Sequence, residues 1–177
     1  MQENAVAPGV EREVIVRTAR LIVTSWSIED VGPLHEVHLE PETMQFVRNG
    51  RPETRAEVEQ LVGQYMVEHA ARGWTKWRLA DHEDRLGGRA GFGGSSTRRG
   101  IAYMIRRSHR GQGLATEVAE ALVGWHLTHA PTVPLRALVV IGNDPSVRVL
   151  EKVGFSEVDQ ESSGGTMCRA FVYPSTA

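Results

Sequence analysis

Cysteine is nearly absent from this chain: Cys168 is the only one among 177 residues. An intrachain disulfide is therefore excluded, and a reducing, cytoplasmic setting is the simple interpretation. Long hydrophobic runs are absent too, since the longest unbroken run in the middle of the chain covers only residues 137–141. Such a run is too short to cross a membrane, and the first residues lack the basic start and apolar stretch of a secretory signal. We expect neither a membrane span nor a signal peptide.

Several common catalytic motifs are also missing. The sequence has no Gly-x-x-x-x-Gly-Lys loop and no Gly-x-Ser-x-Gly elbow, which argues against a P-loop protein and a serine hydrolase. The segment 111–116 is an incomplete dinucleotide-binding fingerprint, because Thr116 stands where the third glycine would be. Two histidine pairs have metal-like spacing but no Glu or Cys that completes a ligand set, so we expect no metal: His35 with His38, and His126 with His129.

Length and charge favour one domain and a small ligand. A chain of 177 residues fits a single domain, which we place at 13–177 after a flexible tail at 1–12. The net charge of −2 argues against binding to nucleic acid. A local basic patch suggests a small anionic ligand, or else a solvated arginine face; it consists of Arg98, Arg99, Arg106, Arg107 and Arg110.

Hydrophobic periodicity predicts alternating strands and helices. One helix follows Asp30, a second begins with a capping box at 54–57 and ends at Gly73, a third spans 114–130, and a fourth runs from Asp144 to Gly154. The predicted strands are 20–25, 74–79, 88–95, 101–106, 135–141, one that begins at Phe155, and 167–173. This order predicts an α/β sheet with one crossover region near residues 106–116.

The segment 106–116 joins a predicted strand to a predicted helix and is the most informative part of the chain. Its sequence is Arg-Arg-Ser-His-Arg-Gly-Gln-Gly-Leu-Ala-Thr. The first N–H groups of a helix have no intrahelical partner and lie at the positive end of the helix dipole. Gly111 and Gly113 have no Cβ that would keep a ligand away from this backbone. The sequence therefore predicts a site for a phosphate or pyrophosphate.

A second motif follows the next predicted strand: N-x-x-S-x-x-V-L-E-K-x-G-F, beginning at Asn143. Together with R-x-x-G-x-A, beginning at Arg110, it resembles the GNAT superfamily of acyl-CoA N-acyltransferases. The second motif is most similar to the branch of ribosomal-protein serine and alanine N-terminal acetyltransferases. The resemblance covers roughly residues 17–173. It implies the GNAT α/β fold, with a mixed twisted sheet of about six or seven strands and about four helices.

The resemblance implies acetyl-CoA as the acetyl donor. Main-chain N–H groups at 110–116 would bind its pyrophosphate, and strand 103–106 would pair with the pantetheine arm, whose amides imitate a peptide. Asn143 matches the family's cofactor-contacting asparagine, and Arg148 could reach the phosphates or lie on a solvated helix face. The candidate cofactor-binding residues are Tyr103, Met104, Ile105, Arg106, Arg110, Gly111, Gln112, Gly113, Leu114, Ala115, Thr116, Asn143, Ser146 and Arg148.

The chemistry implied is direct attack of a free amine on the thioester. The thioester oxygen becomes negative and needs an N–H donor, for which the main-chain amide of Met104 or Ile105 is the candidate. The leaving thiolate needs a proton or a hydrogen bond. Ser146 matches the serine of the ribosomal-protein branch and is the candidate for that role; the alternative is a first-turn serine without chemistry.

Two positions depart from the family pattern. Leu150 stands where many members place a tyrosine as acid, and Gly100 stands where many members of the branch carry a carboxylate. The general base is therefore open between a water chain and a carboxylate near the first helix, such as Glu36 or Glu40.

The expected function is transfer of an acetyl group to a primary amine, on a protein N-terminus or on a small molecule. The acidic first half of the chain would suit a cationic acceptor, but it is equally an ordinary solvated surface. The missing tyrosine and carboxylate leave one alternative, a non-catalytic acyl-CoA-binding module that regulates a partner. The family often forms homodimers, and no feature of this sequence requires one.

Overall fold

A computed structural model describes residues 11–47 and 50–174. There, eight strands form one mixed sheet in the order β1-β2-β3-β4-β5-β6-β8-β7, accompanied by five α-helices. No helix in these ranges has the length and hydrophobicity that a membrane crossing requires. The elements are β1 (Val14–Arg17), β2 (Leu21–Thr24), α1 (Val31–His38), α2 (Pro41–Met44), α3 (Arg55–Arg72), β3 (Lys76–Asp81), β4 (Leu86–Ser95), β5 (Arg98–Ile105), α4 (Leu114–His129), β6 (Leu135–Val140), α5 (Asp144–Val153), β7 (Ser156–Ser163) and β8 (Thr166–Val172).

The predicted α/β fold is confirmed, with one strand and one helix more than expected. The additional strand, β1, has four residues at the sheet edge, and the additional helix, α2, is a single turn that Pro41 begins. Segments this short contain too few residues for a hydrophobic period to be recognised. The strand β5 also begins earlier than predicted, at Arg98.

The structure describes the chain from Glu11 onward, which includes the last two residues of the segment 1–12 that the sequence assigns to a tail. Residues 1–10 lie outside the described residues, as do 175–177 at the other end. Arg12, which was placed in the tail, forms an ion pair with Asp30, with 2.8 Å between Nη2 and Oδ1. Its side chain is therefore part of the folded domain.

Alternation along β5 distributes its side chains over the two faces of the sheet. Met104 packs with the hydrophobic residues of α1 and α3, on a side that we call the α3 face. Ile101 and Ile105 pack with residues of α4 and α5, on the α4 face. The strand that carries the predicted site thus contributes to both halves of the core.

The strands β5 and β6 run parallel but pair only at their beginnings. The paired positions are Arg99 with Leu135 and Gly100 with Arg136. Beyond them the two strands diverge, although β5 keeps its full ladder with β4 on the other side. Main-chain groups on one edge of β5 are therefore left for other partners. The divergence creates an opening in the middle of the sheet.

A buried ion-pair cluster fixes α1 to the sheet. Asp30, which is 2% exposed, accepts a 2.9 Å hydrogen bond from Nε of Arg78 on β3 and one from Arg12. Arg78 also pairs with Asp84, with 2.7 Å between Nη1 and Oδ1. The carboxylates of Asp30 and Asp84 thus neutralise Arg78, as carboxylates normally do for a buried guanidinium.

Gly88 on β4 is required by the close approach of β5. Its φ is 147°, and a Cβ at this position would collide with the main-chain carbonyl of Met104. We expect Gly88→Ala to lower the free energy of unfolding by more than about 2 kcal/mol, because neither strand can move without breaking the ladder. Gly63→Ala in α3 is the control, since no atom lies within 4 Å of its added Cβ. It is expected to stabilise by about 0.5–1 kcal/mol. Equal unfolding midpoints in urea for the two variants would contradict this account.

Candidate functional site

The opening between β5 and β6 leads into a cavity of about 720 Å³. On the α4 face its wall comes from residues 109–116, with Gln112 excepted, and from residues along α5 between Pro145 and Lys152. On the α3 face the wall comes from Thr43, Phe46, Val47, Tyr65, Lys76 and Arg89. The cavity therefore passes through the sheet, so two reactants could enter it from opposite faces.

The N-terminus of α4 opens into this cavity without a side-chain cap. Gly113 is the N-cap residue, with φ 78° and no capping side chain, and the wall includes Leu114, Ala115 and Thr116. No atom lies within 4 Å of a Cβ added at Gly111. The first N–H groups of α4 are thus available to an anion at the positive end of the helix dipole.

Arg20 binds the turn before α4 on the side that faces away from the cavity. Its Nη1 donates to the main-chain oxygen of Gln112 at 2.8 Å, and its Nη2 lies 2.6 Å from Oε2 of Glu117. The acidic side chain in the first turn of α4 is therefore neutralised and does not oppose an anion at the helix terminus. Gln112 faces this side of the turn rather than the cavity.

Two of the five arginines of the predicted basic patch, Arg106 and Arg107, are paired with carboxylates away from the cavity. Arg106 donates to Glu40 at 3.1 Å and does not line the cavity, and Arg107 pairs with Glu42 at 2.7 Å. Arg110 lines the cavity, but its Nε donates to the main-chain oxygen of Ile105 at 3.0 Å. Of the predicted cofactor-binding residues, Arg106 and Gln112 do not line the cavity.

The edge of β5 that faces the cavity presents the amides of Tyr103 and Ile105. The main-chain N–H of Arg106 donates to Gly87 on the β4 side, and consecutive residues of a strand direct their N–H and C=O groups to opposite sides. Ile105 accordingly offers its carbonyl to Arg110, away from β4. Met104 points its amide to β4. Of the two predicted oxyanion donors, Ile105 is therefore the one with an amide toward the opening.

Tyr103 and Ser146 meet across the cavity, and sequence reasoning missed this contact. The phenol oxygen of Tyr103 lies 3.0 Å from Oγ of Ser146 and donates to the Ser146 carbonyl at 3.2 Å. Burial raises the pKa of Tyr103 to about 12, although the hydrogen bond to Ser146 works in the other direction. The two residues are 43 positions apart in the chain, one on β5 and one on α5, and no sequence pattern predicts a contact between them.

No carboxylate lines the cavity among the described residues. Glu36 is exposed and outside the wall, and Glu40 is bound to Arg106. Burial raises the pKa of Glu40, but hydrogen bonds from Thr43, from the Arg107 amide and from Arg106 outweigh it and lower the pKa. The two carboxylates that sequence reasoning offered as bases are therefore badly placed to accept a proton in the cavity.

The paired histidines are engaged separately. Nδ1 of His38 lies 2.8 Å from Oε2 of Glu53 in the core, and Nε2 of His126 lies 2.9 Å from the carbonyl oxygen of Val133. Nδ1 of His129 lies 2.7 Å from the Trp125 carbonyl. In the described part of the chain, no three His, Cys, Asp or Glu side chains form a group that could hold a metal ion.

The sequence matches a family model described as an acetyltransferase (GNAT) domain over residues 20–156. The chain belongs to the GNAT acetyltransferase family. A search of curated proteins gave no match. The matched region contains the whole of the turn at 106–116 and both residues of the Tyr103–Ser146 pair, so the cavity lies inside the family's own domain.

Solved structures share the fold of this acetyltransferase at low sequence identity. An acetyltransferase of the GNAT family from Bacillus anthracis has a TM-score of 0.75 at 19% identity, covering 89% of this chain and 95% of its own. RimL, a ribosomal L7/L12 α-N-protein acetyltransferase in complex with coenzyme A, has a TM-score of 0.78 at 17% identity, with coverages of 90% and 97%. The microcin C7 self-immunity acetyltransferase MccE, in complex with acetyl-CoA and AMP, has a TM-score of 0.74 at 11% identity, with coverages of 88% and 92%.

The buried phenol of Tyr103 predicts a pH-dependent loss of stability. Its pKa is about 12 in the folded acetyltransferase and about 10 in an unfolded chain. Between these values the unfolded state has lost a proton that the folded state retains, so stability falls as the pH rises. We expect the difference in unfolding free energy between wild type and Tyr103→Phe to be constant from about pH 7 to 9 and to shrink above about pH 10. Urea denaturation over this range measures it; a constant difference up to about pH 11 would exclude a buried, neutral phenol.

Proposed function

We propose that this acetyltransferase transfers the acetyl group of acetyl-CoA to a primary amine by direct attack on the thioester. The single observation that carries the proposal is the uncapped N-terminus of α4, which begins at Gly113 and opens into the cavity between β5 and β6. Such a terminus suits a diphosphate, and the free edge of β5 next to it suits the amides of a pantetheine arm. CoA and acetyl-CoA are the ligands of the RimL and MccE structures.

We assign the parts of the donor to parts of the wall. The diphosphate would be bound by N–H groups from 111–116, with charge from Arg110 and Arg148, which both line the cavity. The pantetheine arm would pair with the outward main-chain groups of Tyr103 and Ile105. Asn143, also in the wall, would contact the cofactor where α5 begins.

The amide of Ile105 is the donor that we propose for the thioester oxygen. Negative charge develops on this oxygen when the amine attacks, and a fixed N–H in a site with little water stabilises it strongly. The amine nitrogen then forms its bond to the acetyl carbon, and the carbon–sulfur bond breaks. One proton leaves the amine and one is taken up by the sulfur.

The Tyr103–Ser146 pair is proposed to serve the departing sulfur. Ser146 would donate a hydrogen bond to the thiolate, and the single proton of the Tyr103 phenol, which can reach either the Ser146 carbonyl or its Oγ, would then be donated to Oγ. A phenol with a pKa of about 12 holds its proton more tightly than a thiol, whose pKa is about 8.5. The pair therefore stabilises the thiolate by hydrogen bonding, and the final proton comes from the amine through water.

The acceptor needs no strong base if it is a free amine. An α-amine has a pKa of about 8, so a useful fraction is already unprotonated at neutral pH. A protein N-terminus and a small primary amine both fit this requirement. The lone, buried Cys168 fits the reducing cytoplasm in which we place the reaction.

The test of the proposed function is release of free thiol from acetyl-CoA when primary amines and N-terminal peptides are added. We expect Gly113→Glu to weaken acetyl-CoA binding by about 100-fold or more and to abolish release, because it adds a side chain and a negative charge at the N-terminus of α4, where the diphosphate is proposed to bind. Gly165→Glu is the control: it has a similar φ, 83° against 78°, but lies in the β7–β8 turn, where no atom lies within 4 Å of an added Cβ; at Gly113 the nearest atom is Nη2 of Arg20 at 3.7 Å. Equal affinities for the two variants, or binding without thiol release across a broad panel, would contradict the proposal.

Removing either partner of the Tyr103–Ser146 pair should slow turnover. We expect Ser146→Ala and Tyr103→Phe each to lower kcat by about 10-fold with little change in acetyl-CoA affinity, and the double variant to be no slower than either. Tyr173→Phe is the matched control, because Tyr173 packs on Phe155 outside the cavity. Unchanged kcat in Ser146→Ala would remove serine from the mechanism, and fully additive losses would show that the two residues act separately.

A further inference from the structure

Arg89 is a buried guanidinium in the wall of the cavity on the α3 face. It lies on β4 directly opposite Met104 on β5, and its residue is 6% exposed. Met104 directly precedes Ile105 along β5, so Arg89 is paired with the residue next to the proposed oxyanion donor. Its side chain rises on the face opposite to α4, where the donor's diphosphate is proposed to bind.

The guanidinium has polar and aromatic contacts but no carboxylate. Nη1 donates to the hydroxyl of Tyr65, and the guanidinium carbon lies 5.8 Å from the centre of the Tyr65 ring. Nε is buried without a hydrogen-bond partner in the described structure. None of the ion pairs among the described residues includes Arg89. A buried charge left in this condition costs several kcal/mol unless a partner reaches it.

The neighbouring arginine shows that the scaffold can neutralise a buried guanidinium at this depth. Arg78 is directly opposite Arg89 in the β3–β4 ladder and is 3% exposed, yet it binds both Asp30 and Asp84. The carboxylates near this part of the sheet are thus committed to Arg78. Arg89, which lines the cavity, is left with its charge and with a buried N–H donor that is unused among the described residues.

We propose that Arg89 binds a carboxylate carried by the acceptor, so that the acceptor is an amine with a carboxylate a few bonds from its nitrogen. This inference rests on the proposed function, since it concerns the second substrate of the same cavity. A guanidinium presents N–H donors in a planar fork that matches a carboxylate, and charge-assisted hydrogen bonds of this kind are stronger than neutral ones.

The charge of the wall supports an anionic acceptor. Every Asp and Glu of the described residues lies outside the wall, whereas Lys76 and Arg89 both belong to its α3 face. A cationic acceptor would therefore meet the like charge of Arg89, with no carboxylate among the described residues of the wall.

The same pairing also compensates for the missing base. In solution, a nearby carboxylate helps to keep an amine protonated. When Arg89 takes up that carboxylate, its influence on the amine is cancelled, and the positive wall favours the neutral amine that attacks the thioester.

The experiment compares matched pairs of acceptors that differ only in one charge. Glycine and glycinamide, β-alanine and β-alaninamide, and 4-aminobutyrate and its amide are each assayed for thiol release with wild type, Arg89→Met, Arg89→Lys and Arg98→Met. We expect the acid-to-amide ratio of kcat/KM to fall by about 10- to 100-fold in Arg89→Met, to fall less in Arg89→Lys, and to remain unchanged in Arg98→Met.

Arg98 is an exposed arginine on β5 outside the wall, so its replacement removes the same charge from another place. Comparing the same two substrates between enzymes cancels the difference in their amine pKa values. An unchanged ratio in Arg89→Met, in a variant that melts and binds acetyl-CoA like wild type, would overturn the proposal.

A second measurement does not require turnover. In an NMR titration of isotope-labelled protein with coenzyme A present, the Nε–Hε signal of Arg89 is assigned by its loss in Arg89→Lys. Propionate, a carboxylate without an amine, is expected to shift this signal in wild type and in Arg98→Met. If thiol is never released but propionate shifts the signal, the proposed function fails while the anion site stands. If thiol is released and propionate has no effect on Arg89, the function stands and the acceptor inference fails.

Discussion

The divergence of β5 from β6 after two paired positions is the constraint on which the rest of the structure depends. A strand in the interior of a sheet normally satisfies its main-chain groups on both edges. Here β5 satisfies one edge with β4 and leaves the other to whatever enters the cavity. Because α4 begins beside this open edge, its unpaired N–H groups face the same space. One local departure from regular pairing therefore supplies both the diphosphate site and the pantetheine track of the proposed donor.

Charge is distributed so that the cavity stays positive in a chain with a net charge of −2. Asp30 neutralises Arg78 and Arg12 within the core, and surface arginines hold Glu40 and Glu117 outside the wall. Each of these carboxylates has a scaffold partner, which removes it from the list of general bases. The proposed chemistry accordingly relies on hydrogen-bond donors and on the acceptor's own amine rather than on a carboxylate of the protein.

The sequence was informative where structure is local. Capping of α3 by Thr54, the glycines at 111 and 113 with positive φ, and the end of α5 at Gly154 depend on neighbours within a few residues, and all were predictable. Short elements such as β1 escaped prediction because four residues carry no period. Of the site residues expected from the sequence, the turn residues other than Gln112 and the α5 residues line the cavity, whereas Arg106 and Gln112 do not.

By itself, then, the sequence determined the family, the order of most elements and the glycine turn at the start of α4, because each of these depends on residues that lie close together in the chain. Tertiary structure alone decided that Arg89 lines the cavity and that Arg106 does not. Arg106 binds the carboxylate of Glu40, 66 positions earlier in the chain, and does not line the cavity. Arg89 has no carboxylate partner among the described residues and remains in the cavity wall. Side-chain partners of this kind are chosen by the packing of separate strands and helices, and spacing along the chain carries no record of that choice.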